Sequence, residues 1–293
     1  MDFPEFPDSR RIALDDKPAF DACFAARPPE LSAFTFTNIF AWREPNDSSV
    51  SRIGEHIIVQ QSHAGQTVCL EPMGNGDPAP AIEEAFRRGA IEFTRIHSHL
   101  ADRLVHSPKF VAELDRDNSD YVYLASDLID LPGRKFDAKR NFINKFESER
   151  SHEYLQMTHQ TAQECMDFAD YWCEEKSCET VEGMRKEHCA VYQILANFDA
   201  LRLRGGAIRV DGAIVAFSLG ELLNPRTLVV HVEKADPRIG GLYQVINNEF
   251  SRHEARSLEY VNREQDLGVS GLRKAKESYH PVRMVEAFTI KQQ

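Results

Sequence analysis

The chain has 293 residues, 42% hydrophobic and 28% charged, which is enough apolar material for a sizeable core and a length at which two domains are expected. Its 46 acidic against 35 basic residues give a formal charge of −11, which excludes a surface that is basic throughout and built for nucleic acid or anionic lipid. Six cysteines in so long a chain do not make a disulfide scaffold, and no apolar run approaches the ~18 residues of a membrane span. The start, Met1-Asp-Phe-Pro-Glu-Phe-Pro7, has neither the basic nor the apolar region of a secretory signal. A cytoplasmic protein without an integral membrane segment is expected.

In chain order, the aromatic run Phe34, Phe36, Phe40 and Trp42 reads as core. Ile53-Gly-Glu-His-Ile-Ile-Val59 predicts a turn and a strand, and Thr67-Val-Cys-Leu70 a second strand. A loop from Met73 to Pro80, rich in Gly and Pro, leads to a helix over about 81–88 and then the strand Ile91-Glu-Phe-Thr-Arg-Ile96. Leu131-Pro-Gly133 breaks the chain. After it, Arg134, Lys135, Lys139, Arg140 and Lys145 stand against Asp137 alone, a basic island on an acidic protein. Phe136, Ile143 and Phe146 form an apolar line through that segment, so a helix with a docking face is predicted. Two more helices follow, over about 162–175 and 181–198.

The second half repeats the order of the first. Ile208 to Gly220 predicts a hairpin turning at Asp211-Gly212, a pair that accepts the positive φ angles of a tight turn. Thr227-Leu-Val-Val-His-Val-Glu233 is a β-branched strand, Gly240-Gly241 opens a helix over about 242–253, and Leu258-Glu-Tyr-Val261 is the next strand. Matching elements lie about 160 residues apart, which predicts a diverged duplication (α+β) with mixed sheets flanked by helices. The expected domains are 1–131, a basic linker helix over 132–150, and 151–293. A helix opened by glycines offers free N–H groups and a partial positive charge, a ready phosphate site. The cysteine spacing, with no Cys-x-x-Cys pair, gives no zinc motif, and no metal site is expected.

This succession resembles the GCN5-related N-acetyltransferase (GNAT) fold, occurring twice. Thr35-Phe-Thr-Asn-Ile-Phe-Ala-Trp42, Lys139-Arg-Asn-Phe-Ile-Asn-Lys145, Glu233-Lys-Ala-Asp236, Asn262-Arg-Glu-Gln-Asp-Leu-Gly268, Gly271-Leu-Arg-Lys-Ala-Lys276 and Ser278-Tyr279 resemble a bacterial family of tandem GNAT proteins. That family is similar to the C-terminal catalytic domain of phosphatidylglycerol lysyltransferases, which move an amino acid from aminoacyl-tRNA to a lipid head group. The resemblance implies an acyl- or aminoacyltransferase with its active centre in the C-terminal half. No permanently bound cofactor is implied, and the donor would be an acyl-CoA or an aminoacyl-tRNA. The acceptor would be an amine or hydroxyl on a small molecule or lipid head group.

In such folds reactive groups come from the ends of two parallel strands that splay apart. Alternation puts His231 and Glu233 on one strand face, and Glu233 is the expected base for an attacking amine. Arg263, Glu264 and Asp266, in a polar run after the partner strand, are expected to bind an amine-bearing group, with Glu264 and Asp266 as candidate catalytic carboxylates. Tyr279 resembles the GNAT general acid, since a phenol keeps its proton at neutral pH. Arg238, Gly240 and Gly241 form a phosphate loop in shifted register, and Arg273 and Lys276 are candidates to neutralise donor phosphates. Lys135, Lys139, Arg140 and Lys145 are the expected tRNA contacts. The alternatives are a coenzyme A-dependent N-acetyltransferase of a small amine, and a non-catalytic binding protein on the same fold. The first half reads as chemically poorer: carboxylates at Asp77, Glu83 and Glu84 would repel a phosphate at its glycine loop.

Overall fold

A computed structural model describes residues 2–63 and 65–293. Its elements begin with β1 (Arg10–Arg11), α1 (Lys17–Ala26), α2 (Phe36–Ala41), β2 (Ser48–Ile53), β3 (His56–His63) and β4 (Gln66–Leu70). Next come α3 (Ala79–Arg87), β5 (Ala90–His97), α4 (Ser98–Leu104), β6 (Phe110–Leu124), α5 (Ala125–Asp130), α6 (Asp137–Glu149) and β7 (Glu153–Gln156). The chain continues through α7 (His159–Lys176), α8 (Glu182–Ala196), α9 (Phe198–Leu201), β8 (Arg204–Val210) and β9 (Ala213–Asn224). It ends with β10 (Thr227–Ala235), α10 (Leu242–Glu254), β11 (Tyr260–Asn262), α11 (Ser270–Glu277) and β12 (Arg283–Gln292).

Two compact units divide these elements. The first comprises residues up to Asp120 together with Gln265–Ser270 and Met284–Gln293; the second comprises Tyr121–Glu264 and Gly271–Arg283. In the first, strands run in the order β1-β2-β3-β4-β5-β12, with β4 and β5 parallel and the other neighbours antiparallel. In the second, the order is β7-β8-β9-β10-β11 and the end of β6, with β10 and β11 parallel and the other neighbours antiparallel. Strand for strand and sense for sense the two orders are the same. Each parallel pair is joined by one crossover helix, α3 or α10, as a parallel connection requires. The duplication read from element order is present, and the fold is a GNAT-like mixed α+β architecture.

The closing strands differ from the expected division. Residues 121–124 of β6, from the first half, pair with β11, while β12 at the C-terminal end pairs with β5. The division at 1–131, 132–150 and 151–293 therefore does not match the compact units: 121–150 lies in the second and 284–293 in the first. A strand's own residues encode which face is buried, not which sheet edge it joins, so this exchange left no local signal.

The basic segment is part of the second unit, not a linker. Phe136, Ile143 and Phe146 on the predicted apolar line are 0%, 9% and 1% exposed. They seat α6 against the opening of α10. Gly241 caps α10 at φ 87°, and a Cβ there would lie 2.6 Å from the Phe142 carbonyl oxygen and 3.5 Å from the Phe146 Cβ. Only glycine satisfies both the left-handed backbone and that close approach.

Asp211 and Gly212, at φ 49° and 83°, turn β8 into β9 as the sequence predicts. The run around Phe34 became α2, all six of its residues buried, with Thr35 Oγ1 accepting from the Asn38 N–H at 3.1 Å as its N-cap. Cores of aromatic and aliphatic side chains fill each unit: Phe6, Ile58, Ile82, Phe93 and Ile290 in the first, Phe146, Ile208, Phe217, Phe250 and Val261 in the second. Among the described residues no helix is long and apolar enough to cross a membrane.

Candidate functional site

In the second unit β10 and β11 pair in parallel through Thr227↔Tyr260, Leu228↔Val261 and Val229↔Asn262, where β11 ends. Against β9, the register of β10 shifts between Val230 and Val232, so His231 sits in a bulge that turns the rest of the strand away. Glu233 and Arg263 stand just beyond the last parallel pair, and they meet. Arg263 Nη2 donates to Glu233 Oε1 at 3.0 Å, and Asn247 Nδ2 on α10 donates to Oε2 at 3.0 Å.

The Arg263–Glu233 pair is enclosed, with the two side chains 12% and 14% exposed. Burial works against the Arg263 charge, and the Glu233 carboxylate more than offsets it, raising the guanidinium further above its usual value. Its plane is flanked by aromatics: the guanidinium carbon lies 4.8 Å from the Tyr279 ring centre and 5.7 Å from that of Tyr123. Lys139 Nζ sits 4.0 Å over the Tyr279 ring and donates to Ser278 Oγ at 2.6 Å. Burial, then the nearby Arg263 charge, lowers its pKa. Tyr279 is 5% exposed, and burial pushes its phenol upward, so it holds its proton. One donor is left over. Arg263 Nη1 is buried without a hydrogen-bond partner among the described residues, a costly arrangement in a closed interior and a fitting one where a ligand oxygen arrives.

Glu264, expected as a catalytic carboxylate, contacts His231. It follows Arg263 at φ 57°, its N–H held by Asn262 Oδ1 at 2.8 Å, and its Oε1 is 2.8 Å from His231 Nδ1. His231 Nε2 is 3.0 Å from Glu221 Oε1. The ring, 1% exposed, is clamped between two carboxylates. Burial would lower its pKa, and the Glu221 and Glu264 bonds overcome that and raise it to about 9. At neutral pH His231 is an imidazolium fixing the β10 bulge to the end of β11.

This clamp makes stability pH-dependent. The unfolded imidazole titrates near 6.5 and the folded one near 9, so its contribution is complete below pH 6.5 and is lost as pH rises through 9. Its size is about 3 kcal/mol. Urea denaturation between pH 6 and pH 10 should show that loss in the wild type and a much flatter profile in Glu264→Gln; parallel profiles would refute it.

The remaining expected site residues lie elsewhere. Asp266 is in the first unit, fully buried, accepting from Arg116 Nη1 at 3.2 Å and from the Gly268 N–H at 2.9 Å. It fastens a loop. Arg238 is committed to Asp236 through contacts of 2.8 and 3.1 Å, and Gly241 is covered by α6, while Gly240 is exposed. Lys276 donates to the Arg263 carbonyl, and its own carbonyl accepts from Tyr123 Oη at 2.9 Å, anchoring α11. Arg273 is half-buried on α11. In the basic segment Lys135 pairs with Asp127 at 2.8 Å, Arg140 with Asp137 and the carbonyls of Leu131 and Gly133, and Lys145 with Glu149 at 3.8 Å. Lys139, turned onto Tyr279, belongs to the enclosed cluster. Among the described residues no group of three His, Cys, Asp or Glu side chains is placed for a metal ion.

Sequence reasoning missed Asn247, Tyr123 and the role of Lys139. One signal was available: Asn247-Asn248 lies mid-helix, where asparagine is a poor helix former. Both are used, Asn247 on Glu233 and Asn248 on the Leu128 carbonyl at 2.6 Å.

Comparison with known proteins resolves the family. The family model described as phosphatidylglycerol lysyltransferase, C-terminal, matches residues 25–291. The chain belongs to the phosphatidylglycerol lysyltransferase C-terminal family. Among solved structures it is similar to a conserved protein of unknown function from Bacteroides thetaiotaomicron, 36% identical over 97% of this chain and 99% of that one, with a TM-score of 0.90. The C-terminal domain of a putative lysylphosphatidylglycerol synthetase from Agrobacterium fabrum is 14% identical over 96% and 93%, TM-score 0.64. L-PGS from Bacillus licheniformis is 14% identical over 99% and 94%, TM-score 0.65, so these two show the shared fold. No curated protein matches. Family and fold are those of acyl- and aminoacyltransferases of the lysyltransferase C-terminal type.

Proposed function

We propose that this lysyltransferase-family chain transfers an aminoacyl group from aminoacyl-tRNA to a hydroxyl or amine on a small molecule or lipid head group, with Glu233, Arg263 and Tyr279 as its reacting centre. The observation that carries this reading is the buried, unpartnered Nη1 of Arg263 beside the Glu233 carboxylate, at the point where β10 and β11 part. The acceptor attacks the ester carbonyl and gives its proton to Glu233. The carbonyl oxygen gathers negative charge against Arg263 Nη1, a donor already in place. As the new bond forms, the ester C–O bond breaks, and Tyr279 protonates the departing ribose oxygen. Proton transfer from Glu233 to Tyr279 restores the starting state. An aminoacyl ester is favoured over coenzyme A because α6 covers Gly241, the turn of the glycine loop where a pyrophosphate would otherwise be received.

The test is a transfer assay with a mixture of radiolabelled aminoacyl-tRNAs and phosphatidylglycerol vesicles, run beside acetyl-CoA with small amines and thiol detection. Label reaching the lipid or a water-soluble acceptor, at a rate ~10²–10⁴ lower in Glu233→Gln, is the expected result. Binding of tRNA should weaken steeply with salt, and Lys145→Glu should lower that slope by roughly one unit if Lys145 meets a phosphate. Thiol release that depends on Glu233, with every aminoacyl-tRNA inert, would instead establish the acetyltransferase.

A further inference from the structure

The aromatic run of the first unit does not end in its core. Phe34, Phe36 and Phe40 are buried, but Trp42, which caps α2, is only half-buried. It lines a cavity of about 200 Å³ between α2 and the sheet. The strand register accounts for the floor. Ser48 pairs with Gln61 across β2 and β3, and Leu70 with Thr94 across β4 and β5. Alternation puts Val59 on the same face as Gln61, and all five residues line the cavity. The opposite face carries Ile58, Cys69 and Phe93 into the core with Ile82 and Phe86 of α3. A sheet face beneath a helix is ordinarily apolar, and this one bears Ser48, Gln61 and Thr94.

A bulge in β5 adds to that polar set. Phe93 pairs with Ile290 and Ile96 with Phe288, so Thr94 and Arg95 together oppose the single residue Thr289. Consecutive strand residues ordinarily point to opposite faces. Here both line the cavity, because Arg95 takes φ 58° and a bulge re-aims its side chain. Among the described residues no carboxylate lines the cavity, and its one charged group, Arg95, is paired with Asp115 at 3.5 Å. What remains is neutral: the amides of Asn46, Gln61 and Gln265, the Thr94 hydroxyl and the Trp42 indole. Gln61 is bonded to Ser48 Oγ and Gln265 to Ser32 Oγ, each at 3.3 Å, which engages one end of each amide. Trp42 Nε1, the Asn46 amide and the Thr94 hydroxyl have no hydrogen-bond partner among the described residues.

We propose that this cavity is a ligand site for a single uncharged sugar ring, one C–H face of the ring lying on the Trp42 indole and its hydroxyls bonded to Asn46, Gln61, Thr94 and Gln265. Sugar hydroxyls donate and accept, and so do primary amides and threonine. An ammonium finds no anion here, and a carboxylate or phosphate finds a cation already paired; burying either charge is costly. A nucleobase carries its polar groups on one edge, in the plane that stacks. Hydroxyls leave a sugar ring in several directions, which suits partners drawn from a loop, two strands and the returning segment at Gln265. At about 200 Å³ the cavity is smaller than the ~300–1,000 Å³ of sites for drug-sized ligands, so one ring fills it. The site lies wholly within the first unit and does not depend on the chemistry proposed at Glu233.

Saturation-transfer NMR and calorimetric titration of the full chain test this. The probes are the methyl glycosides of glucose, galactose and mannose, N-acetylglucosamine, glucuronate and adenine. At least one of the four neutral sugars should bind with a Kd of about 1 mM or tighter, and glucuronate and adenine at least about tenfold more weakly. Trp42→Ala should weaken that sugar at least about tenfold, since it removes the stacking surface. Thr94→Val is nearly isosteric and removes one hydroxyl, so binding should weaken by about threefold to tenfold. It keeps the test decisive if Trp42→Ala fails to fold. No neutral sugar bound at that affinity, adenine or glucuronate bound as tightly as the best sugar, or sugar binding unchanged in the folded variants would each overturn the proposal.

Discussion

Glu233→Ala is expected to destabilise the second unit by about 3–5 kcal/mol, the cost of leaving a buried charge without its partner. Arg263 cannot escape to water when the carboxylate is removed, because Tyr123 and Tyr279 flank its guanidinium and α11 closes over its carbonyl through Lys276. Its pair is enclosed on both members, so bulk solvent does not take over the role of Glu233. Asn247 Nδ2 loses its acceptor in the same step. Glu233→Gln should cost much less, since the amide oxygen still accepts from either donor. Removing both charges, in Glu233→Ala/Arg263→Met, should recover most of the loss, and that non-additivity is the signature of a coupled buried pair. Urea denaturation of the wild type, Glu233→Ala, Arg263→Met and the double variant at one pH measures it. Additive losses, or an alanine variant as stable as the wild type, would mean that Arg263 finds water or another anion.

How much of this was legible in the sequence depends on the range over which each feature is encoded. The β10 strand, the α10 helix and the Asp211-Gly212 turn are written in windows of a few residues and were read correctly. So was the docking line of α6, since Phe136, Ile143 and Phe146 carry their own period. Glu233 and Arg263 were both singled out, but nothing local says that they pair, because 30 positions separate them. The same holds for His231 and Glu264, whose contact brings an expected catalytic carboxylate onto a buried ring. Asp266 shows the limit most sharply: two residues from Glu264 in the chain, it is bound to Arg116, 150 positions away, in the other unit.

The first half shows the same limit of range. Its glycine loop and early-helix acids argue against phosphate, and that argument concerns only the loop. Glu71 and His97 lie at strand ends on either side of α3 and become a pair only when β4 and β5 align. The two units thus share one arrangement: a carboxylate at the end of the first parallel strand and a nitrogen-bearing side chain at the end of the second, His97 in one and Arg263 in the other.

A large kinetic effect is also expected from Arg263→Lys, a turnover reduced by ~10²–10³ once the donor is supplied, with KM changed much less. Lysine keeps the positive charge, so the Glu233 carboxylate retains a cation and the fold should survive. What it loses is the fork. In the native side chain Nη2 is spent on Glu233 while Nη1 has no hydrogen-bond partner among the described residues, and a single ammonium on a flexible stem cannot hold both positions at once. If Nη1 receives the oxyanion, the loss falls on the transition state and not on the bound substrate, so kcat and kcat/KM decline together. A purely structural Arg263 predicts otherwise: a lysine variant with lowered stability but near-native kcat per folded molecule. Measuring kcat and KM beside the folded fraction separates the two, and an unchanged kcat in folded Arg263→Lys would remove Nη1 from the chemistry.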